Sequence, residues 1–222
     1  MTLRIELEGV THKAVAKYDQ HPLGRQLFAG TLPEIYYKGL LVQIAKYVAE
    51  SAALLETAGR RLAASDSALS ALLLQKAEEE KGHELWAYDD LSALAVTRAA
   101  AEAVPLARAT ACYLAFNDWI VEEYPAGFLG TALVLETLSV ERAELAANNL
   151  RKHSRIPNVK NALSFLERHG RLDEGHVEEL LSILETMPRK DLITQVTICA
   201  EVVGFVHPSL IVAYPEPLEL AS

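Results

Sequence analysis

The chain has 222 residues, half of them apolar and 23% charged, and 30 acids against 21 bases leave a formal net charge of −9. That length supports one domain whose core needs no staples, and the composition excludes wholesale disorder. No basic surplus exists to neutralise a phosphate backbone, so nucleic acid is not an expected partner. Two cysteines, Cys112 and Cys199, cannot build a disulfide framework and suit a reducing, cytoplasmic compartment. The first eight residues carry charges where a secretory signal needs an apolar run. The apolar stretch Leu192–Val206 holds Glu201 and falls short of the roughly 20 apolar residues of a spanning helix, so no membrane segment is expected.

The pattern along the chain is helical throughout. A first helix fits Leu3–Asp19, closed by His21-Pro22, with Leu23–Phe28 adding a short turn. A start signal follows in Gly30-Thr31-Leu32-Pro33-Glu34: Thr31 and Glu34 have capping-box spacing, and Pro33 falls where an N–H has no intrahelical partner to lose. That second helix runs to about Arg61, and a third from Ser65-Asp66-Ser67 to about Leu94. Pro105 punctuates the next segment, which continues to Glu123 before the break Tyr124-Pro125-Ala126-Gly127. A long helix is predicted over Phe128–Lys152, and another over Val159–Met187, with Gly170 and Gly175 as kink positions. Pro188 ends it, and a last helix covers Asp191–Phe205. The expected fold class is thus an all-α bundle of about seven helices, residues 1–206, with residues 207–222 as an irregular arm. The proline-rich arm has reason to persist if it packs on something, so a homodimer is expected.

Metals in helical bundles are held by carboxylates and histidines on facing helices, and three segments qualify. The first is Leu166–His176, where His169, Asp173 and His176 sit at i, i+4 and i+7 and so share one helical stripe. Two imidazoles and a carboxylate are the donor set of non-haem iron sites with open positions. The second is Glu78-Glu79-Glu80-Lys81-Gly82-His83, where Glu80 or Glu79 pairs with His83 on one helix face; the other glutamates read as a solvated face paired with Lys76 and Lys81. The third is Glu136 within Ala132-Leu133-Val134-Leu135-Glu136-Thr137-Leu138. Burying a polar group without a partner costs roughly 2–7 kcal/mol, so Glu136 calls for a partner, and a metal ion is an effective one.

Taken together, Glu80-x2-His83, Glu136 and His169-x3-Asp173-x2-His176 resemble the haem-oxygenase-like diiron oxidases, the iron-containing relatives of haem oxygenase, TenA-type thiaminases and PqqC. The resemblance spans about residues 10–205. It implies the haem-oxygenase-like helical fold and one or two non-haem iron ions. The implied ligands are Glu80, His83, Glu136, His169, Asp173 and His176. Asp173 would share an ion with His169 or His176, Glu136 would bridge, and His83 would bind the neighbouring ion. It also implies dioxygen as co-substrate, an external electron donor, and a small substrate such as an amino-acid derivative or a fatty acid. Glu80 is preferred over Glu79 on spacing. Some relatives carry the early carboxylate seven residues before the histidine, a position held here by Lys76. Competing readings within the same fold are a haem enzyme using His12, a thiaminase using Cys112 or Cys199, a cofactorless oxidase, and a non-catalytic helical module. Tyr36, Tyr37, Tyr113, Phe116 and Trp119 are the aromatic residues expected near a pocket.

Overall fold

The structure, a computed structural model, describes residues 3–186 and 190–215, with no strand among them. Eleven α-helices occur in the described residues, more than the expected seven, because the sequence breaks are more numerous than prolines alone reveal. They are α1 (Leu3–Gln20), α2 (Pro22–Phe28), α3 (Glu34–Leu62), α4 (Ser67–Glu80), α5 (Glu84–Ala93), α6 (Arg98–Ala103), α7 (Arg108–Glu123), α8 (Phe128–Leu138), α9 (Glu144–His153), α10 (Ser164–Thr186) and α11 (Lys190–Val206).

Several boundaries differ from expectation for local reasons. Residues 22–28 form a true helix with Pro22 in its first turn. Thr31 does not cap α3: Pro33 occupies the N-cap and the Thr31 hydroxyl faces the Gln26 carbonyl instead. Asp66 does cap α4, accepting from the Leu69 N–H at 3.1 Å. The expected long third helix breaks after Glu80, where Gly82 takes φ +86°, a left-handed conformation that favours glycine. The expected helix over 128–152 carries a π-helical segment, Ser139–Ala143, beginning three residues after Glu136. α10 runs unbroken through Gly170 and Gly175.

The bundle is organised around α3, which packs on α4, α5 and α7, while α8, α10 and α11 close the other side with α1. Two apolar clusters result. One is centred on α3 and its neighbours through Tyr37, Leu41, Leu91, Leu150 and Leu163. The other joins α3, α4, α8, α10 and α11 through Leu55, Leu73, Leu129, Leu180 and Val196. A window at Ile193–Leu210 is long and apolar enough, by length and composition, to cross a membrane. In the fold it is a packing helix, with Val196, Cys199, Ala200 and Val203 buried.

Beyond Val206 the chain turns back into the bundle. Residues 207–210 form a 3-10 turn with His207 and Leu210 buried, and Tyr214 donates its N–H to the Ile35 carbonyl at 2.8 Å. This return crosses α3 at Gly39, where an added Cβ would lie 1.9 Å from the Val212 carbonyl oxygen, so only glycine admits the crossing.

Candidate metal centre and cavity

Glu80 ends α4 and His83 precedes α5, with the Gly82 turn between them. Their closeness therefore comes from a tight turn, closed by His83 N–H to the Glu80 carbonyl at 3.2 Å, and not from one continuous helical face. His83 Nδ1 stands 3.3 Å from Glu80 Oε2, and the imidazole stacks on Trp86 at 4.1 Å between centroids. His169 reaches the same point from α10: its ring lies 5.1 Å from that of His83 and 5.1 Å from that of Trp86. One donor atom each from Glu80, His83 and His169 lies within 4.8 Å of the other two.

The His169 ring is oriented from behind. Its Nδ1 faces the Phe165 carbonyl at 3.1 Å, so Nδ1–H donates there and Nε2 presents the lone pair. α10 itself is anchored by Asp90 of α5. The fully buried Asp90 carboxylate accepts from Ser164 N–H (2.8 Å), Ser164 Oγ–H (2.7 Å) and Phe165 N–H (2.9 Å), which caps the helix five residues before His169. Burial pushes the Asp90 pKa up, and the hydrogen bonds from Phe165 and Ser164 oppose it only in part. For Glu80 the balance is reversed. Burial acts to raise its pKa, but the hydrogen bond to His83 and the nearby imidazoles of His83, His169 and His176 leave it below the ordinary value.

Of the residues on the α10 stripe, His169 stands with Glu80 and His83. His176 Nδ1 lies 3.9 Å from Glu136 Oε1, and its Nε2 lies 3.8 Å from Glu79 Oε2. Glu136 is largely buried, and Glu79 is bonded outward to Gln75 at 2.8 Å. The Asp173 side chain lies outside the described residues. Lys76 adds a feature of its own. It is 3% exposed, and its ammonium lies 3.3 Å from Glu179 Oε2 and 3.7 Å from Glu136 Oε1. The Lys76 side chain thus stands beside Glu136.

A cavity of about 150 Å³ opens beside these groups, lined mainly by apolar side chains and by Glu80, Glu136 and His169. Of the aromatic residues expected near a pocket, Tyr113 lines it. Tyr37 is fully buried elsewhere and donates to the Ala162 carbonyl at 2.6 Å, while Trp119 is half exposed. Tyr36 and Phe116 pack on the core. The cavity wall also includes Tyr18, Tyr47 and His207, which sequence reasoning did not single out. His12 is exposed and pairs with Glu141 at 3.0 Å, so it is not presented as an axial haem ligand. Cys112 is exposed and does not line the cavity, and burial pushes the Cys199 thiol up to about 12, so Cys199 is not set up as a thiolate nucleophile.

The donor set of two imidazoles and one carboxylate fits iron, and three protein ligands leave coordination positions open. Fold and site together define an all-α protein with a buried metal-competent cluster on the wall of an apolar cavity. The chain belongs to the iron-containing redox enzyme family, whose sequence model matches residues 38–203. Solved structures agree on the fold. A domain of unknown function with a haem oxygenase-like fold from Shewanella denitrificans OS217 is 18% identical, with TM-score 0.82 over 95% of this chain and 90% of that one. A TenA homologue from P. horikoshii OT3 is 17% identical, with TM-score 0.77 over 95% and 97%. A TenA homologue from Pseudomonas syringae pv. tomato DC3000 is 15% identical, with TM-score 0.77 over 93% and 89%. No curated protein matches in sequence.

Proposed function

We propose that this protein is a non-haem iron oxidase that uses dioxygen to oxidise a small molecule held in the cavity. The observation that carries the reading is the convergence of Glu80, His83 and His169 within 4.8 Å on a cavity wall, with His169 pre-oriented by the Phe165 carbonyl. Iron held by these three residues would supply activation of dioxygen at the open coordination positions. The rest is the work of the chain. Asp90 fixes the start of α10 and so the reach of His169. Leu40, Ile44, Leu135 and Leu166 keep the cavity apolar and exclude water from the reacting centre. Electrons come from an external donor or from the substrate.

A second ion is assigned to Glu136, Asp173 and His176, the remaining members of the sequence pattern. Its binding requires the Lys76 ammonium, 3.7 Å from Glu136, to give way. The two positions therefore differ in strength, with that of Glu80, His83 and His169 the tighter. The test is an anaerobic ferrous titration followed by an oxygen pulse. One tight and one weak iron per chain, with oxygen consumed only after iron loading, supports the proposal. Oxygen-inert protein at full loading, or protein that takes no iron, overturns it.

A further inference from the structure

Charge is unevenly placed along this chain. Residues 151–171, from the last turn of α9 to the middle of α10, hold six bases and one acid, a local charge of +5 in a protein of −9. Lys152, Arg155, Lys160, Arg168 and Arg171 are exposed. The one acid of the segment, Glu167, is already engaged: Arg151 bonds to it from α9, and Arg171 lies 4.0 Å from it on α10. Arg168 and Arg171 are one turn apart on α10. A basic face is thus built where α9 meets α10, and the segment holds no second acid to neutralise it.

The metal-competent cluster lies under that face. The Arg168 guanidinium stands 5.1 Å from the centre of the Trp86 ring. Trp86 is partly exposed, and it meets both imidazoles of the cluster, stacked on His83 at 4.1 Å between centroids and 5.1 Å from His169. Its carbonyl accepts from the Ser164 hydroxyl at 3.2 Å, which ties the indole to the start of α10. Glu84, two residues before Trp86, acts on Tyr88 and Arg98 toward α6. One indole therefore spans from an exposed arginine to two of the three candidate ligands.

We propose that the face around Arg151, Arg168 and Arg171 docks an acidic one-electron carrier protein, and that Trp86 is the path by which its electron reaches the cluster. This rests on the oxidase reading for the need for electrons, but not for the docking. Charge selects the partner. On a protein of −9 an acidic carrier is steered to the basic face and repelled elsewhere. A nucleic acid shares the negative charge, but a long polyanion runs past the face onto acidic surface, whereas a compact protein matches its extent. Position selects the path, because a carrier seated over Arg168 is separated from His83 and His169 by the Trp86 ring. The Arg168 charge over the indole opposes a second positive charge on it, so the ring conducts without itself being oxidised. In each transfer the carrier loses one electron and ferric iron at the cluster gains it, and no bond forms or breaks.

The test uses a plant-type [2Fe–2S] ferredoxin, an acidic one-electron carrier, as probe. Docking is measured on metal-free protein at low and high salt. Binding is expected, and it should weaken about tenfold as salt rises. Arg168→Glu with Arg171→Glu should weaken it about tenfold, while Arg60→Glu with Arg61→Glu, the same charge change at the end of α3, should cost less than about threefold. No binding, equal losses in the two double variants, or a single-stranded oligonucleotide that binds the face tighter than ferredoxin overturns the docking face. The path is measured by mixing reduced ferredoxin with ferric protein, with rates compared per bound iron and helical content checked. Trp86→Leu should keep the docking affinity and slow transfer within the complex about tenfold, and Trp86→Phe, which keeps a ring, should slow it less. Transfer unchanged in Trp86→Leu overturns the path. Docking that depends on Arg168 and Arg171 in a chain that takes no iron keeps the face and removes the oxidase. Iron uptake and oxygen consumption without docking do the reverse.

Discussion

Replacing Asp90 by Ala should be among the most damaging single changes in this fold, and it should act on the metal cluster without touching it. The carboxylate accepts three hydrogen bonds at 2.7–2.9 Å from the first turn of α10. Bonds to a charged acceptor contribute about 1.5–3 kcal/mol each, and loss of a cap typically costs about 0.5–2 kcal/mol. Burial raises the Asp90 pKa, so keeping the charge at neutral pH offsets part of that gain. The net loss is then about 3–5 kcal/mol, because two backbone N–H groups are left without their acceptor, while the Ser164 hydroxyl keeps the Trp86 carbonyl at 3.2 Å. For a chain of this size that lowers Tm by about 6–20 °C. Asp90→Asn keeps one acceptor oxygen and should cost about 1–2 kcal/mol. A freed α10 start also loosens His169 from Glu80 and His83, so ferrous affinity should fall about 10–100-fold, as for other supporting partners of metal ligands. Calorimetric melting and iron titration of both variants check this. An Asp90→Ala protein within 1 kcal/mol of wild type, or one with unchanged iron affinity, would refute the reasoning.

Other expectations follow from the same geometry. Glu80→Ala should lower iron retained under mild chelation while Glu79→Ala should not, measured by metal analysis after dialysis; the reverse result assigns the ligand to Glu79. Lys76→Met removes the cation beside Glu136. Breaking a buried pair costs about 3–5 kcal/mol, so the metal-free variant should melt lower, and added ferrous iron should restore more of its Tm than it adds to wild type. His207 supplies a pH dependence whose sign is fixed. Its folded pKa, near 3, lies below the unfolded value of 6.5, so between these values only the unfolded chain binds the proton. Its contribution is complete above pH 6.5 and falls by about 1.4 kcal/mol per unit as pH drops toward 3. Urea titrations of His207→Phe should show that slope reduced over this window, and an unchanged slope contradicts the assignment.

Much of the architecture was legible in the sequence because helical periodicity and proline breaks are local signals. What was not legible depended on a single backbone angle or on distant segments. The turn at Gly82 converts what reads as one helix into α4 and α5, yet still brings Glu80 to His83 because a tight turn and a helical turn span similar distances. The stripe of His169, Asp173 and His176 was visible as a pattern, but its partners come from other helices. Offsets along α10 could not show that His169 joins Glu80 and His83 while His176 faces Glu136. The π-helical segment after Glu136 leaves no marker in Ser139–Ala143 that separates it from an α-helix. Asp90 reads as one acid in an Asp-Asp pair, and its role appears only when α5 meets α10. His207 sat in a stretch expected to be an arm, and its burial depends on the return of the chain over Gly39. Lys76 was noted as a departure at a ligand position, and its contact with Glu136 gives that departure a physical meaning.

The most direct test of the central claim is tight ferrous iron bound per chain, determined anaerobically for wild type and for His169→Ala, His176→Ala and Glu80→Ala, each checked for helical content. The account predicts tight iron in wild type, its loss in His169→Ala and Glu80→Ala, and its retention in His176→Ala, where only the weaker iron disappears. Tight iron that survives in His169→Ala and Glu80→Ala alike would contradict it.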